Sequence, residues 1–121
     1  MANDYHEPAQ EMSAHDRDII RAINSLKEEI EAVDWYMQRV ATATDQELKD
    51  IMWHNAVEEI EHAMMTLEWL RRNQDGWDEQ MRTYLFKEKP IMELEENEED
   101  GEESEVQPEQ SSLNIGEIGE L

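Results

Sequence analysis

The chain has 121 residues, room for one small domain and a tail, and its 32 acidic residues against 10 basic ones give a net charge of −22. That balance argues against nucleic acid and anionic lipid as partners and favours cations. No cysteine is present, which excludes a disulfide framework or a thiolate metal site, and the absence of a leader-like segment or an apolar run of membrane-spanning length sets the expectation of a cytoplasmic chain without membrane contact.

Residues 1–12 read as a flexible lead, with Pro8 disfavouring helix at Glu7. Ser13, followed by Asp16, caps a first helix whose apolar stripe Ile19, Ile23, Leu26, Ile30, Val33, Met37, Val40 alternates spacings of four and three. The small and β-branched run Ala41 to Thr44 interrupts it, and Thr44 with Glu47 forms a capping box that starts a second helix. A link this short between two long helices makes an antiparallel hairpin. The second helix runs through Leu48, Ile51, Met52, Ala56 and Leu67 to Leu70-Arg71-Arg72, a basic pair suited to a helix C-terminus, and Asn73-Gln74-Asp75-Gly76 breaks it. A short third helix with Trp77, Met81, Tyr84 and Leu85 on one face ends near Lys89-Pro90, closing a helical domain over 13–90. Residues 91–121 hold no basic residue at all. Within them, 91–110 reads as a disordered acidic linker with too little apolar surface to offset the entropy of ordering, and 111–121 regains Leu and Ile between glycines, the form of a tethered docking peptide.

The chemistry concentrates in Val57-Glu58-Glu59-Ile60-Glu61-His62. Glu59 falls on the apolar stripe Met52, Ala56, Glu59, Ala63, Thr66, Leu70, with His62 beside it one turn on. A carboxylate on such a stripe is costly unless it is paired, protonated or bound to a metal. Glu29 lies 14 residues before the turn near Ala43 and Glu59 lies 16 after it, so the two come to about the same height, roughly 21 and 24 Å from the turn. A lone hairpin leaves most of each apolar stripe wet, so the missing helices come from a second copy. Two hairpins then supply four carboxylates and two imidazoles, the ligand set of a ferritin-like di-iron centre. The fold class expected is therefore all-α: a two-helix hairpin plus a short third helix, completing a four-helix bundle by dimerisation, with a disordered acidic tail. Oxygen-rich ligands with one imidazole per metal suit iron, manganese or, less selectively, zinc, and ferrous iron oxidation is the reaction expected of them. Two alternatives share these residues. One is a helical adaptor in which Glu29, Glu59 and His62 form a polar network that fixes register; the other is a non-catalytic divalent-cation protein.

The sequence also resembles a known family, the encapsulated ferritins, ferroxidases carried as cargo inside encapsulin shells. The resemblance rests on His6-Glu7-Pro8, Glu28-Glu29, Glu31-Ala32-Val33-Asp34-Trp35-Tyr36, His54-Asn55, Glu58-Glu59, Glu61-His62, Met65 to Asn73 and Arg82-Thr83-Tyr84-Leu85-Phe86, in order over residues 6–90. It implies that Glu29, Glu59 and His62 are ferroxidase ligands provided by two chains, that Glu28 and Glu31 are metal-entry carboxylates, and that Trp35 and Tyr36 stand beside the centre. It further implies peripheral cation sites at His54, Glu58 and Glu61, with calcium, zinc or manganese taken there or at the centre itself. A ring of five dimers is implied too, with iron mineralised in the shell lumen. Ser112-Leu113-Asn114-Ile115-Gly116 is similar to the peptides by which cargo binds the encapsulin wall, although Glu117 and Glu120 make this end more acidic. For Tyr36 and Trp35 simple packing competes with a role in chemistry, and the methionines at helical spacing read as core filler.

Overall fold

The structure, a computed structural model, describes residues 5–101, and every regular element among them is helical. The lead, read from the sequence as flexible, contains one short regular element. Ala9–Glu11 forms a single 3-10 turn after Pro8, and Arg17 donates to the Ala9 carbonyl at 2.8 Å, tying the turn to the first helix. That helix, α1, spans Ala14–Thr42; Ser13 caps it, its hydroxyl accepting from the Asp16 N–H at 2.9 Å.

The second helix, α2, spans Gln46–Asn73, and the residue that starts it differs from expectation. Asp45, not Thr44, takes the cap, its carboxylate accepting from the Leu48 N–H at 3.0 Å. Two adjacent residues compete for that position, and the charged carboxylate is the stronger acceptor for an orphan N–H at the positive end of a helix dipole.

At the open end of the hairpin His15, in the first turn of α1, donates through Nε2 to the carbonyl of Asn73, the last residue of α2, at 3.1 Å. First turn against last turn makes the pair antiparallel. The buried apolar side chains of this hairpin, among the described residues, are only Ile19, Ala56, Ala63 and Leu70. Ala56, Ala63 and Leu70 recur every seven residues, a narrow seam along α2, and small alanines there permit close approach of the two helices. The rest of the α1 stripe is half-buried or, at Ile30 and Met37, exposed. Two helices of about 43 Å have formed with a core too thin to hide their own apolar faces.

A second compact unit begins at Asp75. Gly76 turns with φ 107, a conformation that disfavours any side chain, and α3 follows over Trp77–Tyr84. It ends well before Lys89-Pro90 because Phe86 adopts φ 61, outside helical space, with its ring fully exposed. A fourth helix, α4, then covers Ile91–Gly101, where the sequence places the start of a disordered linker. Pro90 accounts for the correction. It needs no N–H at a helix start, and its carbonyl accepts from Glu93 and Leu94 at 2.9 and 3.3 Å. Leu94 is buried and supplies the apolar anchor that the composition of the segment understates. The remaining linker, 102–110, and the docking peptide 111–121 lie outside the described residues. No helix among the described residues is long and apolar enough to cross a membrane.

Candidate metal centre

The antiparallel register fixes the height of each candidate ligand. Glu29 lies 14 residues on from His15 and Glu59 lies 14 residues back from Asn73, so equal helical rise puts them at one level, about 21 Å from that hydrogen bond. Both are half-buried and both sit at the middle of their helices. One oxygen of Glu29, Oε1, is shut off from solvent and has no hydrogen-bond partner. An orphaned carboxylate oxygen of this kind demands a partner, and the donor chemistry that suits it is a cation or a metal ion.

On α2, Glu59 Oε1 stands 3.6 Å from His62 Nδ1. That is ion-pair range but too long for a hydrogen bond, so the two groups are neighbours whose lone pairs are not consumed by each other. Among the described residues no three His, Cys, Asp or Glu side chains of a single chain gather closely enough to hold a metal. Glu29, Glu59 and His62 are thus oxygen and nitrogen donors aligned in height, a chemistry that suits a cation.

The other residues named from the sequence separate into groups. Glu28 and Glu31 are exposed one position before Glu29 and two after it. Trp35 is half-exposed and lines a shallow surface depression with Gln38, Arg39 and Thr42. Tyr36 is half-buried and lies two turns from Glu29, with the Arg39 guanidinium carbon 5.4 Å from its ring centroid, a cation–π distance. His54 Nε2 is 3.8 Å from Glu58 Oε2 on the exposed side of α2, and the structure does not gather Glu61 with them into a three-ligand group.

One charged cluster escapes the sequence reading. Glu68 accepts from Arg71 Nε and Nη2 at 2.8 and 2.6 Å and from Arg72 Nε at 2.7 Å. The paired Arg71 hydrogen bond, reinforced by Arg72 and opposed by partial burial, holds the Glu68 carboxyl down at about 2. Its signal was available as Glu-x-x-Arg-Arg, the i, i+3 and i, i+4 spacing that brings three side chains together on a helix.

The EncFtn-like family profile matches residues 4–88, the greater part of the chain. The chain belongs to the EncFtn-like family. A ferritin-like protein of Thermotoga maritima is 60% identical over 104 residues, covering 86% of this chain and 91% of the relative. An encapsulated ferritin-like protein of Rhodospirillum rubrum is 52% identical over 103 residues, covering 85% and 74% respectively. A crystal structure of a protein from Nitrosomonas europaea is 55% identical and superposes with a TM-score of 0.69, covering 72% of this chain and 97% of that one. The EncFtn-like match includes Glu29, Glu59 and His62 and stops before α4, so the acidic helix and everything after it lie beyond the matched residues.

Proposed function

We propose that the protein is a ferroxidase, oxidising Fe(II) to Fe(III) at a di-iron centre shared between two subunits, and that it delivers the iron for mineralisation and storage inside an encapsulin shell in the cytoplasm. The observation that carries this reading is the solvent-shielded, unpartnered Oε1 of Glu29 at the level of the unbonded Glu59–His62 pair. Doubling that set about a two-fold axis yields two carboxylates and one imidazole per iron, with the iron as substrate. Carboxylates stabilise ferric over ferrous iron, so each ion gives up one electron to dioxygen or peroxide more readily there than in water. Glu28 and Glu31, exposed beside Glu29, serve to draw cations towards the centre in a chain of net charge −22.

Further assembly has support on the opposite side of α2. Trp53, Val57, Ile60 and Met64 recur at spacings of four, three and four and are each 41–51% exposed, on an arc about 160° from Glu59 and His62. An apolar stripe left wet on a soluble helix marks an interface. With one face for the shared centre and another for a neighbouring dimer, copies can close into a ring, a decamer in this reading. Encapsulin docking through 111–121 draws its support from the peptide-like Ser112 to Gly116 and from the name of the Rhodospirillum relative.

The test is anaerobic addition of ferrous iron to metal-free protein, followed by air. A rise in ferric absorbance that disappears in Glu59→Ala and His62→Ala is the expected result. No rise, or one unchanged in those variants, sinks the ferroxidase reading. For delivery, co-expression with a cognate shell should show loss of encapsulation when the chain is truncated after Gln110; retention inside the shell counts against docking.

A further inference from the structure

Residues 75–121 carry three bases, Arg82, Lys87 and Lys89, all at the end of α3 or just beyond it. Arg82 is already given to Asp78 at 2.8 Å, whereas both lysines are exposed. Beside them lies an apolar surface open to solvent: Leu85 is 42% exposed, Phe86 100%, Ile91 69% and Met92 68%. In a chain of net charge −22 this corner stands apart, since 85–92 sets two lysines against the single acid Glu88. Phe86 marks it in a second way. Its backbone sits at φ 61, a conformation that bulky residues avoid, and its fully exposed ring makes no packing contact to offset that strain. The fold braces the corner on both sides. The Leu85 N–H donates to the Met81 carbonyl at 2.9 Å, and the Pro90 carbonyl accepts from Glu93 and Leu94. A strained aromatic held out on a braced corner, within a wet apolar patch, is a binding feature in want of an occupant.

We propose that this corner is the seat of the chain's own segment 111–121. Leu113, Ile115 and Ile118 cover Phe86, Ile91 and Met92, and Glu117 and Glu120 pair with Lys87 and Lys89. The segment is complementary in both respects, apolar at short intervals and acidic with no base of its own. It is also within reach. Helix α4 has 11 residues and is about 16 Å long, while the nine residues 102–110 can span up to about 30 Å, enough to bring residue 111 back along α4 to Ile91. Charge fixes where on this unit an acidic segment settles: the exposed Glu93, Glu95 and Glu96 of α4 repel it, and the lysines draw it to the corner. A second copy meeting the first on this corner would instead set lysine against lysine. The inference goes beyond the ferroxidase reading and needs neither iron nor a shell.

The cysteine-free sequence lets the seat be trapped in the full-length chain. Met92→Cys and Ile115→Cys are combined in one chain, and the rate of intrachain disulfide formation is compared with that of Glu79→Cys and Ile115→Cys, Glu79 being exposed in the first turn of α3. Tethering alone favours both pairs, so only the excess reports a seat. The Met92 pair should close about tenfold faster, and the advantage should disappear with Phe86→Ala, a change at a ring that supports no packing, or with Lys87→Glu and Lys89→Glu together. Adding Glu117→Lys and Glu120→Lys to the lysine-reversed chain should restore it. Equal rates for the two pairs overturn the seat, as does an advantage that survives both Phe86→Ala and the lysine reversal. Chains carrying Met92→Cys alone, mixed with chains carrying Ile115→Cys alone, should cross-link far more slowly than the doubly substituted chain closes; cross-linking as fast would give the corner to another copy's segment and overturn the assignment to the chain's own.

Discussion

Helix α2 carries two carboxylates with a basic residue three positions on, and they have met opposite fates. Glu68 is fully engaged: three guanidinium hydrogen bonds of 2.6–2.8 Å from Arg71 and Arg72 fix it, and the Arg71 side chain is only 5% exposed. Glu59, nine residues earlier, stands 3.6 Å from His62 with no hydrogen bond between them. Spacing is the same, and chemistry separates the pairs. A guanidinium presents a fork of donors that a carboxylate can fill completely, whereas a neutral imidazole offers one N–H and one lone pair. Glu68 is therefore finished within one chain and Glu59 is not, and the solvent-shielded oxygen of Glu29 at the same level is unfinished too.

The strongest test converts one pair into the other. His62→Arg makes Glu59-x-x-Arg, which should satisfy Glu59 within the chain and leave nothing for iron. Ferric absorbance on aeration is expected to fall by more than the roughly 10–100-fold typical of losing a mere supporting partner of a metal ligand. The melting temperature of the metal-free chain should hold or rise, since an i, i+3 pair adds up to about 0.5 kcal/mol. Retained oxidation with His62→Arg would show that the unfinished pair is not where the iron binds.

The reciprocal change attacks the finished pair. Glu68→Ala removes two short hydrogen bonds from the buried Arg71 guanidinium, and denaturant unfolding should record a loss of roughly 1–3 kcal/mol. Initial iron oxidation, measured well below the melting temperature, should stay near that of the native chain. A Glu68→Ala chain that is fully stable but inactive would reverse the roles assigned to the two pairs.

Acid separates them as well. The folded Glu68 carboxyl is held at about 2 against an ordinary 4.5, so the folded state binds its proton less readily than the unfolded state does. Its contribution is fully present above the ordinary carboxylate range and is lost as pH falls from about 4.5 towards 2. Melts at pH 6 and pH 3 should therefore show a larger drop for the native chain than for Glu68→Gln, which has no proton to gain there. Equal drops would mean that the clamp opens in solution.

Much of this architecture is legible in the sequence, and the misses have physical causes. The α1 stripe, the Ser13 cap and the hairpin follow from periodicity and capping chemistry, and helical rise counted from the turn brings Glu29 to the level of Glu59. The second helix starts from Asp45 and not Thr44 because both are competent caps and the charged carboxylate is the stronger acceptor. The end of α3 depends on the left-handed conformation of Phe86, which no side-chain preference announces. Helix α4 was obscured by its glutamates, whose composition signals disorder while Pro90 and Leu94 supply a start and an anchor. The Glu68 clamp follows from the i, i+3 and i, i+4 spacing of Arg71 and Arg72, which a helix-dipole account of the two arginines leaves out.

The smallest expected effect tests how the clamp divides its work. Arg71 and Arg72 both bond Glu68, but Arg72 is half-exposed and makes one of the three hydrogen bonds, while Arg71 makes two and is buried. Water can replace the Arg72 guanidinium at little cost, so Arg72→Ala should cost about 0.2–1 kcal/mol, and added salt should shrink the difference. Arg71→Ala, which removes the bidentate partner from a buried position, should cost more and respond less to salt. If the two variants lose the same stability with the same salt dependence, Glu68 is held by charge alone. The contrast with Glu59 would then rest on the number of neighbouring cations and not on hydrogen-bond geometry.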